Sequence, residues 1–242
     1  MRSNFDHIIW GANAKGIALA SKLIQQGQTV LLLNKFGFPG GKVTESLSCL
    51  FTKDERLNDD LDLGLLDSIR SQRFGVLFEN EQELLLHPEA FKRALWEEID
   101  RINIDFLFHV IPIGFERRNF NQIQLFGRQG HFFVTGKEIH DLSDEQQLKI
   151  LFSAKDFQAD VLVHCFITDK IPEDMPSFKI YRKVETPIGL FCSFHLEKIP
   201  LSKTDMSFNL ELDRFAQFIW KNYGARLLMI PVQPEIIPLD EE

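Results

Sequence analysis

The sequence predicts an α/β fold, a mostly parallel sheet with helices packed on it, followed by a smaller antiparallel α+β part. Three observations carry this. The continuous apolar run His7-Ile8-Ile9-Trp10 ends at Gly11, as suits a strand buried on both faces. From Ala14 to Gln26 the pattern turns helical, with Ile17, Ala20, Leu23 and Ile24 on one face and Gly27 as the stop. Thr29 to Leu33 is again β-rich, so strand, tight turn, helix, short loop and strand form one βαβ unit. Its two strands are expected to be parallel neighbours.

Further along, Asn34 to Glu45 is a glycine-rich loop, and residues 52–83 are acidic with no clear period. Pro88 opens a helix that runs through Phe91, Leu95, Trp96 and Ile99. Ile104–Val110 reads as a strand. Gln122–Phe126 and His131–Thr135 read as a hairpin around Gly127-Arg128-Gln129-Gly130. Leu148–Ser153 and Asp160–Ile167 read as strands, as do Lys179–Val184, Ile188–Leu196, Met206–Leu212 and Arg226–Val232. Arg214–Tyr223 is a helix closed by Gly224. The change of character near Pro172 places one domain over 1–171 and a second over 172–242.

Composition excludes several classes. The chain has 242 residues, 44% of them hydrophobic, enough to bury a sizeable core. A net charge of -8, from 27 basic and 35 acidic residues, speaks against a nucleic-acid backbone as partner. Three cysteines with no CxxC argue for a reducing compartment, and no apolar stretch is long enough to span a bilayer. Polar Met1–Asp6 does not have a secretory leader's pattern. The expectation is a cytoplasmic protein.

Gly11-Ala12-Asn13-Ala14-Lys15-Gly16 stands where a G-x-G-x-x-G dinucleotide fingerprint stands in a Rossmann-like domain, after a strand and opening a helix. Gly11 keeps the tight turn and Gly16 the close helix–strand packing. The middle glycine, which lets a pyrophosphate approach the backbone, is Asn13. The acid expected at the end of the second strand, for ribose hydroxyls, is Asn34. The two retained glycines serve the fold, and the two replaced positions serve the ligand.

The segments Phe5–Gly11 and Leu33–Thr44, with Asn34-Lys35-Phe36-Gly37-Phe38-Pro39-Gly40-Gly41, resemble the opening of FAD-dependent oxidoreductases of the glutathione-reductase-like, two-domain kind. The resemblance is good over residues 5–50 and looser over 85–170, where His87–Leu95 matches the family's "PE-x-x-K-x-x-L" helix. It implies FAD as the cofactor, and a site formed by Gly11, Asn13, Ala14, Gly16, Asn34, Lys35, Gly40 and Gly41. The family's "ATGD" strand is matched to Ala159–Asp169, where Phe166-Ile167 is bulky for a turn that hugs a ligand. The family's final Gly-Asp element has no counterpart, so the chain reads as a degenerate and C-terminally truncated member.

These departures predict FAD binding that is weak or lost. The reading is a flavoprotein-oxidoreductase-like pseudoenzyme acting as a non-catalytic subunit, with a protein partner or oligomer and no membrane or nucleic acid. The alternative, an active FAD-dependent oxidoreductase with an atypical site, stays open, as does binding of a smaller nucleotide. No catalytic residue can be named. Cys192 and His195 face apart on a strand, as do His164 and Cys165, read as one core and one surface residue. The histidines, His7 and His140 among them, show no ligand spacing, and no metal is expected.

Overall fold

The computed structural model describes residues 4–53, 64–117, 121–144, 148, 158–172, 175 and 178–238. In chain order the elements are β1 (Asn4–Trp10), α1 (Ala14–Gln25), β2 (Val30–Asn34), α2 (Lys42–Glu45), β3 (Leu50–Thr52), α3 (Leu65–Ser71), β4 (Val76–Glu79), β5 (Glu83–Leu86), α4 (Pro88–Ile102), β6 (Asp105–Phe108), β7 (Ile111–Arg117), β8 (Asn121–Gly127), β9 (Gly130–Asp141), β10 (Gln158–Ile167), β11 (Ile180–Thr186), β12 (Gly189–Pro200), α5 (Thr204–Tyr223), β13 (Leu227–Met229) and β14 (Glu235–Pro238).

The chain divides into two compact units and crosses between them repeatedly. The first holds residues 1–41, 54–72 and 89–154, the second 42–53, 73–88 and 155–242. Residues 42–53, 73–88 and 158–171 cluster with the C-terminal residues in the second unit.

The first unit is built on a six-stranded sheet in the order β6-β2-β1-β9-β8-β7. β6, β2, β1 and β9 run parallel, with His7 opposite Val30 on one side and Glu138 on the other. This is the 3-2-1-4 order of a dinucleotide-binding half. Every residue of β2 is buried, as a strand covered on both faces requires. One core gathers Phe5, Ile8, Trp10, Leu31, Leu33, Ile123 and Leu125. The hairpin β8–β9 turns at Arg128-Gln129, with Gly127 opposite Gly130. β9 runs on to Asp141, well past the expected Thr135, because its polar second half pairs with β1.

The second unit has an antiparallel sheet in the order β11-β12-β10-β13, with β14 also on β10, and a three-stranded sheet β3-β5-β4. The hairpin and helix between 64 and 86 fall where the sequence showed no period. Asn80 Oδ1 accepts from the amides of Gln82 (2.8 Å) and Glu83 (2.7 Å), which makes the hairpin turn. Val161, Val163, Cys165, Cys192 and Phe194 pack with Phe208, Leu212, Phe215 and Ile219 of α5. Met206–Leu212, expected as a strand, is the first half of that helix. A period of two would put Met206, Phe208, Leu210 and Leu212 on one face, whereas the helix buries Phe208 and Leu212, four apart, and leaves Met206 and Leu210 exposed. Phe215 and Ile219 continue that buried face beyond the window.

The strand expected over 148–153 lies, but for Leu148, outside the described residues, as does most of the acidic stretch 54–67. Among the described residues no helix is long and apolar enough to cross a membrane.

Candidate dinucleotide site and its surroundings

The eight residues singled out in the sequence lie on the β1–α1 turn, at the end of β2 and in the loop that follows it, all in the first unit. Gly11 ends β1 with φ 112°, its N–H donating to Leu33 O at 3.0 Å. Asn13 is the N-cap of α1, Ala14 its first residue, and Gly16 packs so closely that a Cβ would meet Gly11 O at 2.0 Å. Asn34 ends β2, and Lys35 stands over the Phe36 ring at 5.1 Å. Gly40 donates to Ala12 O at 2.8 Å, joining the glycine-rich loop to the β1–α1 turn.

The two asparagines are buried, Asn13 at 6% and Asn34 at 5% exposure. Asn13 Oδ1 accepts from Gly16 N at 2.9 Å, capping the helix. Its Nδ2 donates to Leu142 O at 2.7 Å and to Asp144 Oδ1 at 3.2 Å. Asn34 Nδ2 donates to Phe38 O at 2.8 Å and Phe36 O at 3.4 Å, while its Oδ1 faces Ala12 N at 3.4 Å. Both side chains therefore fold the chain onto itself. Gly37 lies against the His109 ring, where a Cβ would come within 1.9 Å of Nε2.

The segment Leu142-Ser143-Asp144, which follows β9, closes over the turn. A Cβ on Gly11 would meet Ser143 N at 2.6 Å, and one on Gly41 would meet Asp144 Oδ2 at 2.1 Å and Asn13 Cβ at 2.8 Å. Asp144 sets a carboxylate beside the N-cap of α1, the sign a helix N-terminus favours. Asp141 holds the segment, accepting from Ser143 N at 3.2 Å and Leu148 N at 2.9 Å. The cluster Asp141-Leu142-Ser143-Asp144 after an apolar Ile139 was the available sequence signal. The strand lying parallel beside β1 is β9, not the segment matched to the family's "ATGD" strand. Phe166 and Ile167 are fully buried in β10, paired with Phe191 and Leu190 of β12.

A second group lies on β1 and β9 of the same sheet. His7 Nδ1 is 3.1 Å from His140 Nε2, and Glu138 Oε2 stands 3.6 and 3.7 Å from those two nitrogens. The two rings are stacked, 5.3 Å between centroids. Partial burial, and then the neighbouring His7, push the His140 imidazole below its usual pKa.

The second unit has its own buried polar cluster. His164 bonds Ser193 Oγ through Nδ1 (2.7 Å) and Glu235 Oε2 through Nε2 (2.8 Å), and Lys42 Nζ reaches Glu235 at 3.2 Å. Burial would raise the Glu235 carboxyl, but the His164 hydrogen bond and the Lys42 charge hold it down at about 2. The order Ser–His–Glu is that of a hydrolase triad. Ser193, however, is 2% exposed and within a strand, so no acyl group can reach it. The cluster ties β14 to β10 and β12. His164 is thus buried, as is Cys165, where one of the two was expected at the surface.

Comparison with known proteins agrees with this geometry. A family model described as FAD dependent oxidoreductase matches residues 6–151. Among curated proteins no sequence matches this chain. Solved structures share the fold. The p-nitrophenol 4-monooxygenase PnpA from Pseudomonas putida is 12% identical with TM-score 0.60, covering 98% of this chain and 68% of its own. A flavoprotein/dehydrogenase from Cytophaga hutchinsonii is 16% identical with TM-score 0.58, covering 97% and 66%. A geranylgeranyl bacteriochlorophyll reductase-like protein from Thermoplasma acidophilum is 11% identical with TM-score 0.62, covering 98% and 66%. The chain spans from 52% to 68% of the length of such proteins.

Proposed function

We propose that this chain, which belongs to the FAD dependent oxidoreductase family, keeps the family's dinucleotide-binding scaffold with its FAD site closed by its own side chains, and acts as a non-catalytic subunit or partner-binding protein. The carrying observation is the pair Asn13 and Asp144. A pyrophosphate at the N-terminus of α1 needs space over the middle fingerprint position and no competing anion. Asn13 takes the space, bonded to Leu142 and Asp144, and the Asp144 carboxylate packs against Gly41. Asn34 is turned to the Phe36 and Phe38 carbonyls, away from the ribose-binding role of an acid at that position. The residues present do not fit FAD.

An exposed apolar strip supports the partner-binding role. Leu228, Ile230 and Val232, on and just after the sheet-edge strand β13, are 47%, 57% and 52% exposed.

The test is the visible spectrum of the purified full chain, with an FAD titration. The expected protein is colourless and binds no stoichiometric flavin. The double variant Asn13→Gly/Asp144→Gly, checked for folding by circular dichroism, should bind FAD or ADP roughly tenfold or more tightly. Asn34 is left in place, because its amide holds the 36–38 loop. A purified protein carrying stoichiometric flavin would overturn the reading in favour of an active oxidoreductase. A folded double variant with no gain would mean that Asn13 and Asp144 are not what excludes the cofactor.

A further inference from the structure

We propose that His7, Glu138 and His140 form a binding site for a divalent transition metal of the zinc class, stapling the two central parallel strands β1 and β9. The three side chains are up to 133 residues apart in sequence and come together only through strand pairing. Pairing sets His7 opposite Glu138 and Ile9 opposite His140, so the three side chains share one face of the sheet.

The geometry separates a cation site from an ordinary histidine pair. Two neutral imidazoles at 3.1 Å could share one N–H···N hydrogen bond. Such a bond does not involve the carboxylate, which would then be only a long ion-pair partner of a protonated imidazole. Yet Glu138 Oε2 stands almost equidistant from the two nitrogens, at 3.6 and 3.7 Å, beyond hydrogen-bond reach of either. That is where a ligand sits when all three atoms face one ion. From those three separations, the point equidistant from the atoms lies in their plane about 2.0 Å from each, the length of a zinc–imidazole or zinc–carboxylate bond, and drawing the carboxylate in by a few tenths of an ångström lets the ion rise from that plane toward a fourth ligand.

Two imidazoles and one carboxylate select a borderline metal such as zinc, cobalt, nickel or ferrous iron over calcium or magnesium, which prefer all-oxygen shells. Glu138 is 64% exposed while His7 and His140 are 13% and 27% exposed, so the site opens to solvent on the carboxylate side. Three protein ligands leave a fourth position for water.

The experiment uses the full chain, freed of metal with a chelator, and titrates it with Zn²⁺ by calorimetry and with Co²⁺ by its visible ligand-field absorbance. One metal per chain is expected, with a Co²⁺ band of tetrahedral intensity. His140→Ala should abolish the band and weaken Zn²⁺ binding by roughly a hundredfold or more, since one of three ligands is lost. Glu138→Gln changes only an exposed side chain, so folding is preserved, and it should weaken binding roughly tenfold. The proposal is overturned if the wild-type chain takes up no stoichiometric Zn²⁺ and gives no Co²⁺ band. It is equally overturned if the folded Glu138→Gln variant and His140→Ala both bind as tightly as the wild type, which would place the metal elsewhere.

Discussion

Replacing Asn13 with three different residues separates a helix cap from a tether, because one side chain does both jobs with different atoms. The cap is the Oδ1 contact to Gly16 N, and the tether is the Nδ2 contact to Leu142 O. Asn13→Ala removes both. Loss of a cap costs about 1 kcal/mol, and loss of a buried neutral hydrogen bond costs about 1 kcal/mol more, with the Leu142 carbonyl losing a donor. The third contact, to exposed Asp144, adds a few tenths, about 0.3 kcal/mol. The sum is roughly 2–2.5 kcal/mol, or about 4–10 °C in Tm for a chain of this size. Asn13→Ser keeps a cap acceptor and should lose only the tether, about 1–1.5 kcal/mol. Asn13→Asp is the decisive variant. As a cap it equals asparagine, and its charge suits a helix N-terminus. Here it would replace the donor with an oxygen at the place 2.7 Å from one carbonyl and 3.2 Å from a carboxylate. It should therefore be less stable than Asn13→Ser. Guanidinium unfolding followed by far-ultraviolet circular dichroism gives the ranking. If Asn13→Asp matches or exceeds the wild type, Asn13 is only a cap and the closure of the site by the 142–144 segment is refuted.

Three further outcomes follow from other residues. Glu235 is held at about 2 against an ordinary 4.5, so its contribution is complete above pH 4.5 and is lost as pH falls through 2. That depression is worth about 3 kcal/mol; wild type should lose this advantage over Glu235→Gln between pH 5 and pH 2, and parallel pH profiles would refute it. Gly11→Ala should destabilise the protein with no ligand present, by roughly 2 kcal/mol or more, because Gly11 is at φ 112° and a Cβ would lie 2.6 Å from the Ser143 backbone; an unchanged unfolding midpoint would show that the turn does not pack as described. Burial pushes the thiols of Cys49 and Cys165 up, and that of Cys192 to about 12, so an aromatic disulfide reagent at pH 8 should label none of the three until the chain unfolds; prompt labelling of the native protein would contradict their packing.

The sequence by itself determined the parts of this protein whose physics is local. The run His7–Trp10, the helical face of Ile17 and Ala20, and Gly27 act within a few residues of one another, and they specified β1, α1 and β2 in parallel register. The hairpin at Gly127–Gly130 and the closing Gly224 were legible for the same reason. So was the assembly of Gly11, Asn13, Gly16, Asn34, Gly40 and Gly41, because they are joined by short connections. Tertiary structure decided what those residues do. Asn13 meets Leu142 and Asp144 only because the second half of β9, a polar stretch with no strand signal of its own, pairs with β1. The same pairing makes three unrelated positions, His7, Glu138 and His140, into one cluster. The buried Glu235–His164 pair depends on a C-terminal strand whose flanking prolines argue against it. In each case the deciding contact spans more than 70 residues, and composition or spacing within a window carries no record of a partner that far away.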